Sequence, residues 1–283
     1  MPLLGAHMSI SGGLHLAFDR IREVGGKALQ IFTKNERQWH TPPLNEDLVQ
    51  RFLESWEQSG RIPVAAHAGY LINLAASDAD KLQKSVSAFA DELQRAERLG
   101  VEYLIMHPGS HVGSGVEAGL ERFVENLDLA LAASGTSRVA VLIETTAGQG
   151  SSLGSTFEEI AAILTASHIG NRLGVCFDTC HAFAAGYDIR TKTSYRKTFS
   201  RFDDLIGLDK LKFFHLNDSK RGPGSHVDRH EHIGKGEIGL AGFRMLLNDP
   251  RFGRHPMVLE TPKGKNLHED RENLKVLRSL LQE

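Results

Sequence analysis

A (β/α)8 barrel of the α/β class, one domain over residues 1–283, is the fold this sequence predicts, and three observations carry that reading. Eight strand candidates alternate with eight amphipathic stretches at regular spacing, which points to a closed parallel barrel rather than a doubly wound sheet. Six of the apolar runs end in a metal-type ligand: Ala65-Ala66-His67, Leu104-Ile105-Met106-His107, Val139-Ala140-Val141-Leu142-Ile143-Glu144, Val175-Cys176-Phe177-Asp178, Phe213-Phe214-His215 and Met257-Val258-Leu259-Glu260. The length of 283 residues, long for one domain, is routine for such a barrel.

The elements follow in order. A strand beginning near Leu3 runs into Gly5-Ala6-His7, and the amphipathic stretch Gly13 to Val24 follows it. A strand near Ala28 leads to a helix over Asn45 to Gln58, and one near Val64 leads to a helix over Asp78 to Leu99. Asp78 suits the N-cap of that helix and Gly100 its stop. The strand near Tyr103 precedes a helix from Gly115 to Ala133, and the strand near Val139 precedes one from Thr156, a natural N-cap, to Ser167. The strand near Leu173 has the weakest partner, a helical segment after Tyr195. The strands near Leu211 and Met257 are followed by helices over Leu240 to Asn248 and Glu269 to Leu281. Runs this short, apolar and β-branched read as strands buried on both faces.

Composition narrows the functional classes. With 41% hydrophobic and 24% charged residues the chain is an ordinary globular protein with a large core. Its apolar runs fall far short of a bilayer span, and Met1-Pro2-Leu3-Leu4-Gly5 lacks a secretory leader, so a cytoplasmic, membrane-free monomer is expected. A net charge of −2 excludes a chain coated in positive charge, so any nucleic-acid contact must be local. Cys176 and Cys180, the only two cysteines, read as a reduced pair rather than a bridge or a thiolate zinc site.

All carboxyl ends of a parallel barrel open on one face, so strand-end ligands converge there. A lone strand-end histidine is ordinarily a hydrogen-bonded mouth residue; six such ends together are another matter. Carboxylates gathered at one mouth repel one another and lose solvation, a cost that divalent cations remove. In Asp228-Arg229-His230 the outer residues point to one side of an extended segment and can clasp one ion, while Arg229 faces away. Asp178 and His181, three apart where the chain turns, are placed to serve neighbouring ions. Imidazole and carboxylate without thiolate suit zinc, with manganese or iron as substitutes, and Glu144 is a candidate bridge. His7 and His111 are candidate supporting donors; His226 and His232 are alternates to the clasp; His15, His40, His168, His255 and His268 read as ordinary surface residues.

The segments Met106-His107-Pro108-Gly109-Ser110-His111, Ile143-Glu144-Thr145-Thr146-Ala147-Gly148-Gln149-Gly150, Phe177-Asp178-Thr179-Cys180-His181-Ala182-Phe183, His215-Leu216-Asn217-Asp218, Val227-Asp228-Arg229-His230 and Leu259-Glu260-Thr261-Pro262 strongly resemble the endonuclease IV family of apurinic/apyrimidinic endonucleases. The resemblance runs from Gly5-Ala6-His7 to Pro262. It implies a TIM barrel with three zinc ions: one held by His67, His107 and Glu144, a second by Glu144, Asp178, His215 and Glu260, a third by His181, Asp228 and His230. It further implies that Arg37, Tyr70 and Leu71 probe double-stranded DNA for abasic sites. Arg229 joins them as a DNA contact. An aromatic and an aliphatic side chain beside the pocket suit a wedge into a base stack, and Arg37 suits the minor groove. Ala68-Gly69 departs from the more polar pair usual after that histidine, which predicts a looser loop.

The expected reaction is hydrolysis of the phosphodiester 5′ to an abasic sugar, with Glu144 as the catalytic bridge and a 3′-hydroxyl and 5′-deoxyribose phosphate as product ends. A metal-dependent sugar isomerase would explain two metals on the same barrel. It does not need the Asp228 and His230 arm or the Arg37 and Tyr70 pair. A nucleic-acid-binding barrel without chemistry would not need the intact ligand set.

Overall fold

The computed structural model describes residues 1–264 and 266–282. Its eight long strands close a parallel barrel: β1 (Leu3–His7), β2 (Leu29–Phe32), β3 (Val64–His67), β4 (Tyr103–Met106), β5 (Ala140–Glu144), β6 (Leu173–Asp178), β7 (Leu211–His215) and β10 (Pro256–Leu259). β1 pairs with both β2 and β10, which joins the two ends of the chain and leaves no free sheet edge. Every strand expected from the sequence is present.

The outer ring is α1 (Leu16–Glu23), α2 (Glu46–Gln58), α3 (Ala79–Arg98), α4 (Val116–Ser134), α5 (Phe157–Ala166), α7 (Lys192–Leu205), α8 (Gly239–Leu247) and α9 (His268–Ser279). Asp78 and Thr156 cap α3 and α5 by accepting from the backbone of Lys81 and Glu159, as their sequence positions suggested. The helix after β6 differs from expectation. α7 starts at Lys192, ahead of Tyr195, because Thr191 and Ser194 form a reciprocal capping box. A short helix, α6 (Thr179–Ala184), precedes it, and all its residues are buried, so no amphipathic period marks it. Between β7 and α8 the chain makes a small antiparallel pair, β8 (Asp218–Ser219) with β9 (His230–Glu231).

Two apolar layers follow from strand alternation. One side of each strand packs against the helices, with Phe18, Phe52, Phe89, Phe123, Phe199 and Phe243 among the fully buried rings. The other side fills the barrel with Ala28, Ala65, Ile105, Leu142, Cys176, Phe213 and Val258. Two positions after each of these residues the chain reaches Gln30, His67, His107, Glu144, Asp178, His215 and Glu260. The period of two therefore stacks a polar tier directly above the apolar one, at the carboxyl-end mouth.

Candidate metal centre

Glu144 is the hub of that tier and is fully buried. Its Oε2 lies 3.0 Å from Nε2 of His67 and 3.1 Å from Nε2 of His107, while its Oε1 lies 3.0 Å from Nδ1 of His215 and 3.2 Å from Nδ1 of His181. His215 Nδ1 is also 3.3 Å from Glu260 and 3.7 Å from Asp178. His181 and His230 approach Asp228 Oδ1 at 3.3 and 3.4 Å. The structure thus gathers every residue the sequence put in the ligand set.

The donor chemistry is one that could hold cations. His67, His181 and His230 each pair Nδ1 with a backbone carbonyl, those of Ala68, Thr145 and Glu260. A ring that donates Nδ1–H in this way presents a bare Nε2 lone pair. The Nε2 atoms of His181 and His230 then face each other at 3.2 Å with a carboxylate oxygen beside both. Three acceptors converging on one point are satisfied by positive charge between them, either a proton on His181 or a cation. The ligand atoms of His67, His107 and Glu144 lie within 4.8 Å of one another, as do those of Glu144, Asp178, His215 and Glu260.

Electrostatics gives the same answer. Burial alone would lower the imidazole of His181, yet Asp178, Asp228 and Glu144 hold it well above its ordinary value. His215 behaves alike: burial opposes the charged ring, and Cys176, Glu260 and Glu144 overcome it. Burial would raise Glu144, but His215, His107 and His181 hold it well below the carboxylate range. Buried histidines held protonated by the carboxylates around them form a site that could take cations in place of those protons. Cys180 lies beside Asp228 and His230, but burial first, and Asp178 next, push its thiol up to about 12, so it stays protonated at neutral pH.

Several supporting residues carried no assigned role in the sequence. Gln30, buried in β2, accepts from His215 Nε2 at 2.7 Å and donates to Glu260 at 2.5 Å. Its signal was legible in principle, as the one polar residue of an apolar strand. Asn217 donates to Asp178 at 2.6 Å and accepts from the Glu260 backbone at 2.9 Å. Asp178 also caps α6, accepting from His181 N at 2.8 Å, so one turn of helix fixes the spacing of the two side chains. Asp218, fully buried, accepts from the backbone N–H groups of Ser219, Gly234, Gly236, Ile238 and Gly239 at 2.8 to 3.3 Å. It thereby closes the loop that carries Asp228 and His230. At Gly236 a Cβ would stand 2.3 Å from the Ser219 carbonyl oxygen, which reserves that position for glycine.

The remaining candidates sort by place. His7 joins the tier through Gln30 at 2.9 Å and Glu260 at 3.5 Å, whereas His111 turns to the Gly115 backbone at the start of α4. His226 bonds the Ala147 carbonyl and His232 contacts Asn273, which leaves the clasp to Asp228 and His230. His255 is a correction to its reading as a surface residue: half-buried, it holds the Leu211 carbonyl at 2.9 Å beneath the barrel. His15 is likewise half-buried.

Around the mouth, three cavities of about 230, 390 and 240 Å³ are lined in turn by His67, His107 and Tyr70, by His7, Tyr70 and Glu260, and by His181, Asp228 and Arg229. Tyr70 is 68% exposed and Leu71 38%, and Arg37 and Arg229 also project into solvent. An apolar trough of about 810 Å³ between α4 and α5 is larger but holds none of these groups. Among the described residues no helix is long and apolar enough to cross a membrane.

Comparison with known proteins agrees with this geometry. Residues 18–280 match the family model for xylose isomerase-like TIM barrels. The chain is 51% identical over 282 residues to the protein named "Probable endonuclease 4" from Chloroflexus aurantiacus, covering 100% of this chain and 99% of the relative. It superposes on the crystal structure of endonuclease IV from Thermus thermophilus with a TM-score of 0.88 and 39% identity, covering 99% and 98% of the two chains. A D-tagatose 3-epimerase-like protein shares the fold at a TM-score of 0.74 but only 18% identity, over 98% and 96% of the chains.

Proposed function

Because this chain belongs to the endonuclease IV family, we propose that it is a DNA-repair endonuclease that hydrolyses the phosphodiester 5′ to an abasic site in duplex DNA, leaving a 3′-hydroxyl and a 5′-deoxyribose phosphate. The observation that carries the reading is the mouth itself, where His67, His107, Glu144, Asp178, His181, His215, Asp228, His230 and Glu260 converge, the first three sharing Glu144 with Asp178, His215 and Glu260, and Asp228 lying against both His181 and His230. His67, His107 and Glu144 would hold one zinc ion, Glu144, Asp178, His215 and Glu260 a second, and His181, Asp228 and His230 a third. Bound there, the ions would supply charge for the phosphoryl and leaving oxygens and acidify a water toward neutral pH.

The chain's own residues do the rest. Glu144, with both carboxylate oxygens engaged, orients the attacking water along the line of the scissile bond. The carbonyls of Ala68, Thr145 and Glu260 fix the three imidazoles in the tautomer that binds a cation. Tyr70 and Leu71 wedge into the stack, Arg37 lies along the minor groove, and Arg229 contacts the phosphate backbone. A sugar without a base leaves the helix at the least cost, so lesion selectivity needs no base readout.

The test is incision of a duplex with one abasic site, with product ends identified, together with elemental analysis. Wild type should carry three zinc-type ions, and the double change Asp228→Ala and His230→Ala should remove one of them and slow cleavage severely. At most two tightly held ions in active protein, or turnover of a free aldose without incision, would favour the isomerase reading instead.

A further inference from the structure

The loops that carry Arg37 and Tyr70 are joined underneath by charges that the chemistry of the mouth does not use. α3 presents Asp91, Glu92 and Arg95 to the base of the first loop, and Glu92 to the second as well. Glu92 is 1% exposed, and its Oε2 accepts a hydrogen bond of 2.5 Å from Thr33 Oγ1. Lys34, the next residue, buries its ammonium 2.7 Å from Asp91 and 3.8 Å from Glu92. From the second loop the Gly69 backbone packs against Glu92. A Cβ at Gly69 would stand 3.2 Å from the Glu36 carbonyl oxygen and 3.6 Å from Glu92 Oε1, so the two loops touch where only glycine fits easily. Arg95, 3% exposed, donates to the Thr41 carbonyl at 3.1 Å and closes the far end of the first loop. The Ala68-Gly69 segment is thus packed rather than loose, with Ala68 4% exposed.

We infer that Glu92 is a positioning residue for lesion recognition: from beneath, it fixes the spacing of the Arg37 loop and the Tyr70 loop, and so sets affinity for abasic duplex rather than the hydrolytic step. The inference rests on the proposed probing role of Arg37 and Tyr70. Its physical basis is that a wedge and a groove contact act together only if their separation is held before DNA arrives. Exposed side chains on untethered loops would have to be ordered at the moment of binding. A buried carboxylate bonded to one loop and packed against the other removes that cost. Glutamine at this position keeps the shape but removes the charge that faces Lys34, and with one acceptor oxygen it either makes the Thr33 hydroxyl turn round to accept or sets an amide donor against Lys34.

The experiment uses the full-length, metal-loaded enzyme. Glu92→Gln should raise KM for a single-abasic-site duplex about tenfold, with kcat and ion content unchanged within about twofold. In an Arg37→Ala/Tyr70→Ala background the same change should add less than about twofold to KM, since the groups it positions are gone. With Trp56→Phe leaving Trp39, on the first loop, as the sole tryptophan, acrylamide should quench Trp39 more readily once Glu92→Gln is introduced. Should Glu92→Gln not fold, Lys34→Met/Glu92→Met removes both buried charges together and leaves Asp91 its Arg95 partner, yet frees Thr33 from its bond. An unchanged KM in whichever variant folds, or an equal rise in the Arg37→Ala/Tyr70→Ala background, would overturn the positioning role alone. If Arg37→Ala/Tyr70→Ala itself leaves KM unchanged, the probing assignment fails and this inference with it.

Discussion

Asp218→Asn should detach the arm that carries Asp228 and His230 while sparing the barrel. In the native loop Oδ1 accepts from Ser219 and Ile238 at 2.8 and 2.9 Å, and Oδ2 from Gly234, Gly236 and Gly239 at 2.9, 3.1 and 3.3 Å. Asparagine keeps one acceptor oxygen. Even if that oxygen turns to the three-donor side, its amide group meets two N–H groups head on, and two charge-assisted bonds of about 1.5–3 kcal/mol each are lost. The loop should therefore weaken by about 3–6 kcal/mol, enough to raise its equilibrium for local opening by about two to four powers of ten. Because Ser219 pairs with His230 across the β8 and β9 ribbon, the opening releases the clasp. Hydrogen exchange should show lost protection at Gly234, Gly236 and Ile238 with the strands of the barrel unaffected, and elemental analysis should show one ion fewer than wild type. Native protection of those amides together with full ion content would refute the reasoning.

Other tests follow from the same geometry. Glu144→Gln removes the charge that touches four histidines and should reduce incision below about a few per cent of wild type in single-turnover assays, with the circular dichroism spectrum and abasic-DNA binding largely kept. Asp249 supplies a pH-dependent stability term. Burial alone would raise its carboxyl, but Arg251 and the Tyr195 hydroxyl, 2.8 Å away, hold it below its ordinary value. A carboxyl depressed on folding stabilises above its unfolded pKa of about 4 and loses that contribution as pH falls through the folded value. Asp249→Asn should accordingly cost about 2 kcal/mol at pH 7 by denaturant titration, with the difference from wild type shrinking below about pH 4.

The sequence by itself determined the barrel, because eight buried parallel strands appear as unbroken apolar runs and each needs a crossover helix. It also determined most of the candidate ligand set, for a plain reason: a residue at a strand's carboxyl end can point only into the mouth or away from it. His67, His107, Glu144, Asp178, His215 and Glu260 all sit two residues beyond an inward-facing apolar residue, so the period of two settles their direction. The resemblance supplied the grouping into three sets and the probing residues, which local patterning does not contain. Tertiary structure decided the rest. α6 escaped notice because a helix buried on every side has no polar face to set its period. The carbonyl partners of His67, His181 and His230 come from neighbouring loops and strands, and no spacing rule announces them. Glu92 reads in sequence as one more charge on an amphipathic helix. Only the packing of α3 beneath two loops, one bonded to it through Thr33 and the other packed on it at Gly69, turns that charge into a tie between them, because a contact joining segments remote along the chain is a property of their meeting and of neither segment alone.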